Sequence, residues 1–122
     1  MPKVWSKTFI RIRAEVLRIV TSIPPGHFTT YGSIAKHMNV VPLHVGSALA
    51  SLTEEESAVL PWHRVVGSDA RLSKMADPQT RERQRARLEA EGMKIDRKGC
   101  IVDSDAHYYY PGPRRSIRWS EG

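Results

Sequence analysis

The chain has 122 residues, a length that suits one domain with a modest hydrophobic core. Hydrophobic residues make up 40% and charged residues 26% of the chain, which excludes an intrinsically disordered protein. No apolar run approaches the roughly 18 residues that a transmembrane helix needs. The single cysteine, Cys100, excludes an internal disulfide and a cysteine-rich zinc site, so we expect neither a metal nor a cofactor.

The charge of the chain points to a class of partner. Nineteen Lys and Arg residues against thirteen Asp and Glu residues give a formal net charge of +6. Excess positive charge on a small domain favours binding to a polyanion, because each neutralised phosphate releases counterions. Many basic proteins are merely soluble, so the charge by itself leaves both interpretations open.

The first predicted element is a helix from about Lys7 to Ser22. It carries one apolar stripe at helical spacing, formed by Ile12, Val16, Ile19, Val20 and Ile23. The sequence Pro24-Pro25-Gly26 ends this helix, since proline removes backbone donors and glycine permits a tight turn.

Two shorter helices are predicted next. Thr30 is a suitable N-cap for a helix over about Tyr31 to His37, and Pro42 suits the first position of a third helix that runs to about Ser51. Two short helices joined by a tight turn after a longer one are typical of a helix-turn-helix. Many all-helical domains contain such pairs, so the pattern alone is a weak indication.

The third helix is rich in small residues, including Gly46, Ser47 and Ala48. Glycine in a helix interior costs about 1 kcal/mol relative to alanine, so its presence needs a reason. One explanation is close packing against another helix. The other is close approach of this helix to a sugar-phosphate backbone.

The middle of the chain combines an acidic run with a short apolar segment. Thr53–Ser57 is predicted to be a solvated loop that faces away from any nucleic acid. Val65 and Val66 favour a short strand, and Gly67–Ala70 predicts a turn after it.

The C-terminal part predicts one helix, one hairpin and a tail. Asp77 caps and Pro78 begins a charged helix that ends near Glu91-Gly92. Lys94–Asp96 and Ile101–Asp103 predict a small hairpin. Residues 105–122 form a basic aromatic tail, which is either a second nucleic-acid contact or a mobile segment, and we favour a mobile segment.

Three segments in a fixed order carry a family resemblance. They are Ile23–Ala35, Val45–Leu49 and Pro61–Val66, and Leu88–Gly92 follows at the expected distance. From about residue 9 to 103 the chain resembles the DNA-binding domain of O6-alkylguanine-DNA alkyltransferases. The resemblance implies a mainly α, winged-helix-like DNA-binding domain, with a helix-turn-helix and a small β-hairpin, over residues 1–104.

The resemblance breaks at one position that carries the chemistry. The family's active-site motif is Pro-Cys-His-Arg, and Trp62 occupies the cysteine position of this chain. Direct dealkylation needs a thiolate that attacks the alkyl carbon, and indole is not such a nucleophile. A tryptophan at this position resembles the alkyltransferase-like proteins. This resemblance implies a non-enzymatic protein that binds O6-alkylguanine in duplex DNA through the minor groove. The resemblance further implies that it flips the base into a pocket and hands the lesion to nucleotide excision repair.

The resemblance also implies three groups of site residues. The lesion pocket would comprise Tyr31, Pro61, Trp62, Val65, Ser73 and Lys74. The DNA-binding residues would be Thr30, Tyr31, Leu43, His44, Gly46, Ser47 and Ala48. A structural network would comprise His63, Arg64 and Glu91.

Two positions depart from the pattern that the resemblance implies. Leu43 stands where the family usually has an arginine that fills the vacated base position, and a leucine can wedge between bases but cannot hydrogen-bond the orphaned cytosine. His44 could supply that contact instead. Met75 stands where some alkyltransferase-like proteins have an arginine near the pocket.

Partners and location follow as expectations. The partners would be double-stranded DNA containing O6-alkylguanine and damage-recognition proteins of nucleotide excision repair, with no membrane contact and a monomeric protein. Met1–Ser6 lacks the apolar core of a signal peptide, so we expect a cytoplasmic protein, nucleoid-associated in a bacterium or nuclear in a eukaryote.

Two other functions remain open from the sequence. One is an active alkyltransferase that uses a different nucleophile. The other is a helix-turn-helix DNA-binding regulator without lesion preference. Transfer of a labelled methyl group to the protein distinguishes the first from a sensor, and equal affinity for damaged and undamaged duplexes identifies the second.

Overall fold

The computed structural model describes residues 5–74 and 76–119. Helix α1 spans Lys7–Ser22 as predicted, and the hydroxyl of Ser6 caps it by accepting a hydrogen bond from the Phe9 amide at 3.0 Å. Its apolar stripe is buried, and Ile23 leaves the helix in an extended conformation before the two prolines. Within the described ranges, no helix is both long and apolar enough to cross a membrane.

The predicted helix-turn-helix is present. Helix α2 spans Tyr31–Met38 and helix α3 spans Pro42–Ala50. The hydroxyl of Thr30 caps α2 by accepting from the Ser33 amide at 3.0 Å, and Asn39 ends it in the left-handed conformation with φ of 61°. Helix α3 packs against both α1 and α2, and the main core is formed by buried residues of these three helices.

A two-stranded parallel sheet joins the two halves of the chain. Strand β1, Thr29–Thr30, pairs with strand β2, Val65–Val66, in the register Thr29 to Val65 and Thr30 to Val66. The sequence predicted β2 but not β1, because two threonines carry no alternation that would mark a strand. This pairing places the first residue of α2 beside the loop that follows β2.

The predicted acidic loop is wrong, because this segment forms helix α4 over Glu54–Val59. A capping box begins it: the Glu56 amide donates to the Thr53 hydroxyl at 3.1 Å, and the Glu56 carboxylate accepts from the Thr53 amide at 2.9 Å. Acidic residues in a first turn are favourable against the helix dipole, so the charge run marks a helix start.

Helix α5 spans Pro78–Ala90, and Asp77 caps it as predicted. Its buried residues, Gln84 and Leu88, face a second core that lies behind β2. The predicted hairpin is reduced to one antiparallel bridge between Ile95 and Ile101. Single 3-10 turns lie at Trp62–Arg64, Ser68–Ala70 and Ser104–Ala106.

The C-terminal tail is packed against the domain up to Trp119, which corrects the expectation of a mobile segment. Its backbone pairs with the first half of the chain, since the Tyr109 amide donates to the Phe28 carbonyl at 2.7 Å. The Trp119 indole donates to the Met38 carbonyl at 2.7 Å, at the end of α2. The tail therefore contacts the helix-turn-helix at the end of α2.

We predict that Trp119→Ala lowers the free energy of unfolding by about 1–2 kcal/mol, because the substitution removes the bond to Met38 and packing against the main core. Urea unfolding followed by circular dichroism measures the change. Arg114→Ala is the matched control, since this exposed tail residue should change stability by less than about 0.5 kcal/mol. Equal stability of both variants and the wild type would show a tail that does not contribute to the fold.

Candidate nucleic-acid interface

The outer face of α3 is exposed and lacks acidic residues. Leu43 is 64% exposed, and His44 and Ser47 are also exposed. Ala48 differs from the other predicted DNA-binding residues of this helix, because it is 0% exposed and belongs to the main core. The surface that remains for a partner is formed by the N-terminal end and the outer side of α3.

Gly46 lies on this helix without any packing reason for a glycine. A Cβ atom added there would meet nothing within 4 Å, so close helix packing does not explain Gly46, although it does explain the buried Ala48. Glycine in a helix costs about 1 kcal/mol relative to alanine. The remaining explanation from the sequence is close approach to a partner outside this chain.

A cavity of about 170 Å³ opens beside the N-terminal end of α2. Tyr31 forms one wall, and the segment Gly67–Lys74 forms most of the rest. Three of the six residues predicted for the lesion pocket thus line it together, namely Tyr31, Ser73 and Lys74. Thr30 lies next to it as the N-cap of α2.

Tyr31 is positioned as a neutral hydrogen-bonding group. Burial raises the pKa of the Tyr31 phenol, and a hydrogen bond with the Ser73 side chain opposes this shift. The phenol therefore keeps its proton at neutral pH. Asp69 lines the cavity and has a φ angle of 60°, and the next residue, Ala70, has a φ angle of 55°. Left-handed backbone at Ala70 is strained, and such strain concentrates at functional sites.

The other three residues predicted for the pocket lie away from the wall of this cavity. Trp62 lies between α4 and α5: its indole donates to the Ser57 carbonyl at 3.0 Å, and the Arg87 guanidinium lies 5.1 Å from the ring centroid. Pro61 precedes it, and Val65 is fully buried within β2. Their role in a lesion pocket stays a prediction.

Glu91 is the centre of a charged network behind the cavity. Its carboxylate accepts from His63 Nε2 at 2.7 Å and from Arg64 Nη2 at 2.7 Å. It also accepts from the Gly26 amide at 3.0 Å. Burial alone would raise the pKa of Glu91, but Arg64 and then His63 outweigh it and lower the pKa to about 2. The three predicted network residues are thus in direct contact.

His63 is held in its neutral form by the same surroundings. Burial lowers the pKa of His63, and the hydrogen bond with Glu91 opposes this shift. The Nδ1 atom of His63 is buried and has no hydrogen-bond partner among the described residues. Neutral His63 therefore donates from Nε2 to Glu91 and does not act as a second cation beside Arg64.

Gln84 is a positioning residue that the sequence did not reveal. Its side chain is 2% exposed, and its Nε2 donates to the carbonyls of Val65 at 2.8 Å and His63 at 3.3 Å. Its Oε1 accepts from the Ser73 amide at 3.2 Å. One side chain thus ties β2 to the cavity wall. In a helix as polar as α5, no periodicity distinguishes Gln84 from its exposed neighbours.

Among the described residues there is no candidate metal site, and Cys100 is the single thiol. Residues 5–74 and 76–119 contain no group of three or more His, Cys, Asp or Glu residues that could hold a metal ion. Cys100 pairs with Arg71 through an antiparallel backbone bridge, and it is not one of the described residues that line the cavity. Met75 lies outside the described residues.

The fold and the site together define a helix-turn-helix domain with a cavity beside its second helix, α2. A family model for the DNA-binding domain of 6-O-methylguanine DNA methyltransferase matches residues 11–93. The chain belongs to this family. This result confirms the resemblance inferred from the three sequence segments.

Within the family, the chain is similar to proteins named for base flipping. It is 36% identical over 90 residues to a DNA base-flipping protein of Vibrio parahaemolyticus, covering 72% of this chain and 86% of that protein. It is 40% identical over 89 residues to the DNA base-flipping protein of Escherichia coli, covering 71% and 66%. It is 37% identical over 83 residues to Alkyltransferase-like protein 1 of Schizosaccharomyces pombe, covering 66% and 75%.

Solved structures agree with this placement. Atl1 of S. pombe, in complex with damaged DNA containing O6-carboxymethylguanine, matches with a TM-score of 0.70 and 30% identity, covering 82% of this chain and 95% of that chain. An O6-methylguanine methyltransferase variant of Mycobacterium tuberculosis matches with a TM-score of 0.53 and 26% identity, covering 73% and 51%. The predicted fold class is confirmed.

We predict that stability falls in two steps as the pH is lowered. The unfolded chain binds protons before the folded one, first at His63 as the pH drops below 6.5, and then at Glu91 between 4.5 and about 2. The second step corresponds to about 3 kcal/mol, from the difference between 4.5 and about 2. Urea unfolding at a series of pH values measures it.

Glu91→Gln should be less stable at neutral pH and should lack most of the second step. Glu89→Gln, on the exposed side of the same helix, is the control and should keep it. A Glu91→Gln variant with the full acid dependence of the wild type would show that other carboxylates cause it.

Proposed function

We propose that this protein is a non-enzymatic sensor of O6-alkylguanine in duplex DNA. The observation that carries the proposal is Trp62, which stands between Pro61 and the His63-Arg64 pair at the position of the family's alkyl-accepting cysteine. The Glu91 network around this position is complete, but it has no thiol to activate. The names of the relatives as base-flipping and alkyltransferase-like proteins support this reading.

The α3 surface would bind the minor groove. Gly46 leaves room for close approach of a sugar-phosphate backbone, and exposed Leu43 is an apolar side chain of the kind that wedges between base steps. The minor groove distinguishes base pairs poorly, so little sequence preference is expected. This matches a protein that responds to damage rather than to a sequence.

The flipped base would enter the cavity beside Tyr31. Extrusion of a base costs a few kcal/mol of stacking and pairing, and the cost is smaller for a damaged base that pairs poorly. The neutral Tyr31 phenol can donate a hydrogen bond at the cavity wall, and Ser73 and Lys74 offer further polar contacts. Selectivity then begins with the weak pairing of the lesion and continues in the cavity.

No alkyl transfer is expected at Trp62. The indole nitrogen of Trp62 is engaged with the Ser57 carbonyl, and it has no lone pair available for nucleophilic attack. Because the alkyl group stays on the base, a sensor must pass the lesion to another system. We propose nucleotide-excision-repair proteins as that partner and a monomer as the binding form, on the family resemblance. We propose a cytoplasmic location, at the nucleoid or in the nucleus according to the cell type.

We predict that the protein binds a duplex with one O6-methylguanine more tightly than the unmodified duplex. Tyr31→Ala should weaken binding to the lesion duplex about tenfold or more, a loss of about 1.4 kcal/mol, with a smaller effect on the unmodified duplex. Fluorescence titrations at one stated salt concentration measure both affinities. Tyr110→Ala, exposed in the tail, is the control. Equal affinity of the wild type for the two duplexes would identify a helix-turn-helix protein without lesion preference.

We predict that no label moves from a duplex carrying O6-[³H-methyl]guanine to the protein. The labelled duplex is incubated with excess protein, and the protein is recovered and counted. Cys100→Ser serves as the control for the single thiol of the chain. Stoichiometric label on the wild type that disappears in Cys100→Ser would establish an active alkyltransferase with Cys100 as its nucleophile.

A further inference from the structure

A second depression, of about 410 Å³, adjoins the candidate lesion cavity. The two share Arg71, Leu72 and Lys74 as lining residues. The second depression continues from this shared wall to α5 and to the turn before Cys100. It is called the basic groove below, after its cationic residues Arg71, Lys74, Arg81, Arg85, Arg97 and Lys98.

The basic groove concentrates positive charge. Six cationic side chains and one carboxylate, Glu82, line the groove, so the formal net charge of its lining is +5. Among the described residues, none of the six forms an ion pair within 4.0 Å. The nearby Asp96 carboxylate accepts from the backbone amides of Lys98 and Cys100, both at 2.9 Å. Asp96 also interacts electrostatically with Arg71 and Lys98 and offsets part of the positive charge, and the groove keeps an excess of cations.

The fold assembles this charge from three separate segments. Pro78, Arg81, Glu82 and Arg85 lie on one face of α5, at positions i, i+3, i+4 and i+7. The turn that carries Arg97 and Lys98 is held against the cavity wall by the Leu72 amide, which donates to the Gly99 carbonyl at 2.8 Å. Like charges at this spacing repel one another, so folding alone does not favour their arrangement.

We infer that the basic groove binds phosphates of the lesion-bearing strand beyond the flipped nucleotide. The inference rests on the proposed function, because it takes the adjoining cavity as the place of the flipped base. A flipped nucleotide brings its own backbone to the mouth of the cavity, where Arg71 and Lys74 belong to both sites. The strand that continues from this point meets the remaining cations.

The composition of the groove favours phosphates over an acidic protein segment. Protein interfaces depend on buried aromatic or large apolar anchors at their centre. The described lining of the groove has no aromatic residue, and its apolar members are Leu72, which is buried in the second core, and Pro78. A surface of cations without such anchors is typical of backbone contacts in protein–DNA interfaces.

The test compares Arg81→Ala/Arg85→Ala with Arg83→Ala/Lys94→Ala, which removes the same charge at exposed positions outside the groove. Fluorescence anisotropy measures affinity for the O6-methylguanine duplex and the unmodified duplex between about 50 and 200 mM salt. The groove variant should bind the lesion duplex about tenfold more weakly at low salt. Its plot of log affinity against log salt should be shallower by about 2, because each phosphate contact contributes about 0.9 to the slope. The control variant should keep the wild-type slope.

A second comparison tests the strand. Neutral methylphosphonate linkages on the lesion strand should remove the difference between wild type and groove variant, whereas the same linkages on the complementary strand should preserve it. The reverse result overturns the assignment. Thermal melting of each variant confirms that it is folded.

Other outcomes are equally decisive. A slope unchanged in the groove variant overturns the inference. A decaglutamate peptide that binds the wild type but not the groove variant, with an unchanged DNA slope, identifies an acidic-protein site instead. A shallower slope in a protein whose wild type shows no lesion preference overturns the sensor function, and with it the assignment to a strand beyond a flipped base.

Discussion

The rest of this structure depends on the hydrogen bonds and ion pairs that the Glu91 carboxylate accepts. It lies at the end of α5 and joins the turn after α1, through the Gly26 amide, to the loop that carries His63 and Arg64. A partly buried carboxylate is costly unless its lone pairs find donors, and here two segments supply the donors. The same contacts hold α5, the Trp62 loop and the turn after α1 in one arrangement.

On the sensor function proposed above, the Glu91 network has a structural role. With tryptophan at the motif position, the neutral His63 and the charged Arg64 have a positional role: they fix the loop that leads into β2. Gln84 then links this loop to the cavity wall by accepting a hydrogen bond from the Ser73 amide. Tyr31 reaches the same cavity because β1 pairs with β2 directly before α2 begins. A cavity positioned in this way can recognise a base whether or not it reacts with it.

Local patterns predicted much of the fold, and their failures have physical causes. The stripe of α1, the Thr30 and Asp77 caps and the first-turn prolines of α3 and α5 all depend on neighbouring residues. The charge of the acidic run predicts a solvated loop, whereas the capping box that Thr53 begins starts a helix there. Strand β1 was missed because two residues have no period, and the packed tail was missed because its partners lie about 80 residues away in sequence.

The sequence by itself determined the family and the order of helices α1, α2, α3 and α5, because these follow from residue identity and short-range spacing, and it predicts the loss of the nucleophile at Trp62. It also specified the three members of the Glu91 network through the family motif. Only the tertiary structure decided that Ala48 is core and Gly46 is open, that Gln84 supports the cavity wall, and that six scattered cations share one groove. Such features depend on contacts between segments distant in the chain, and no local period or composition encodes them.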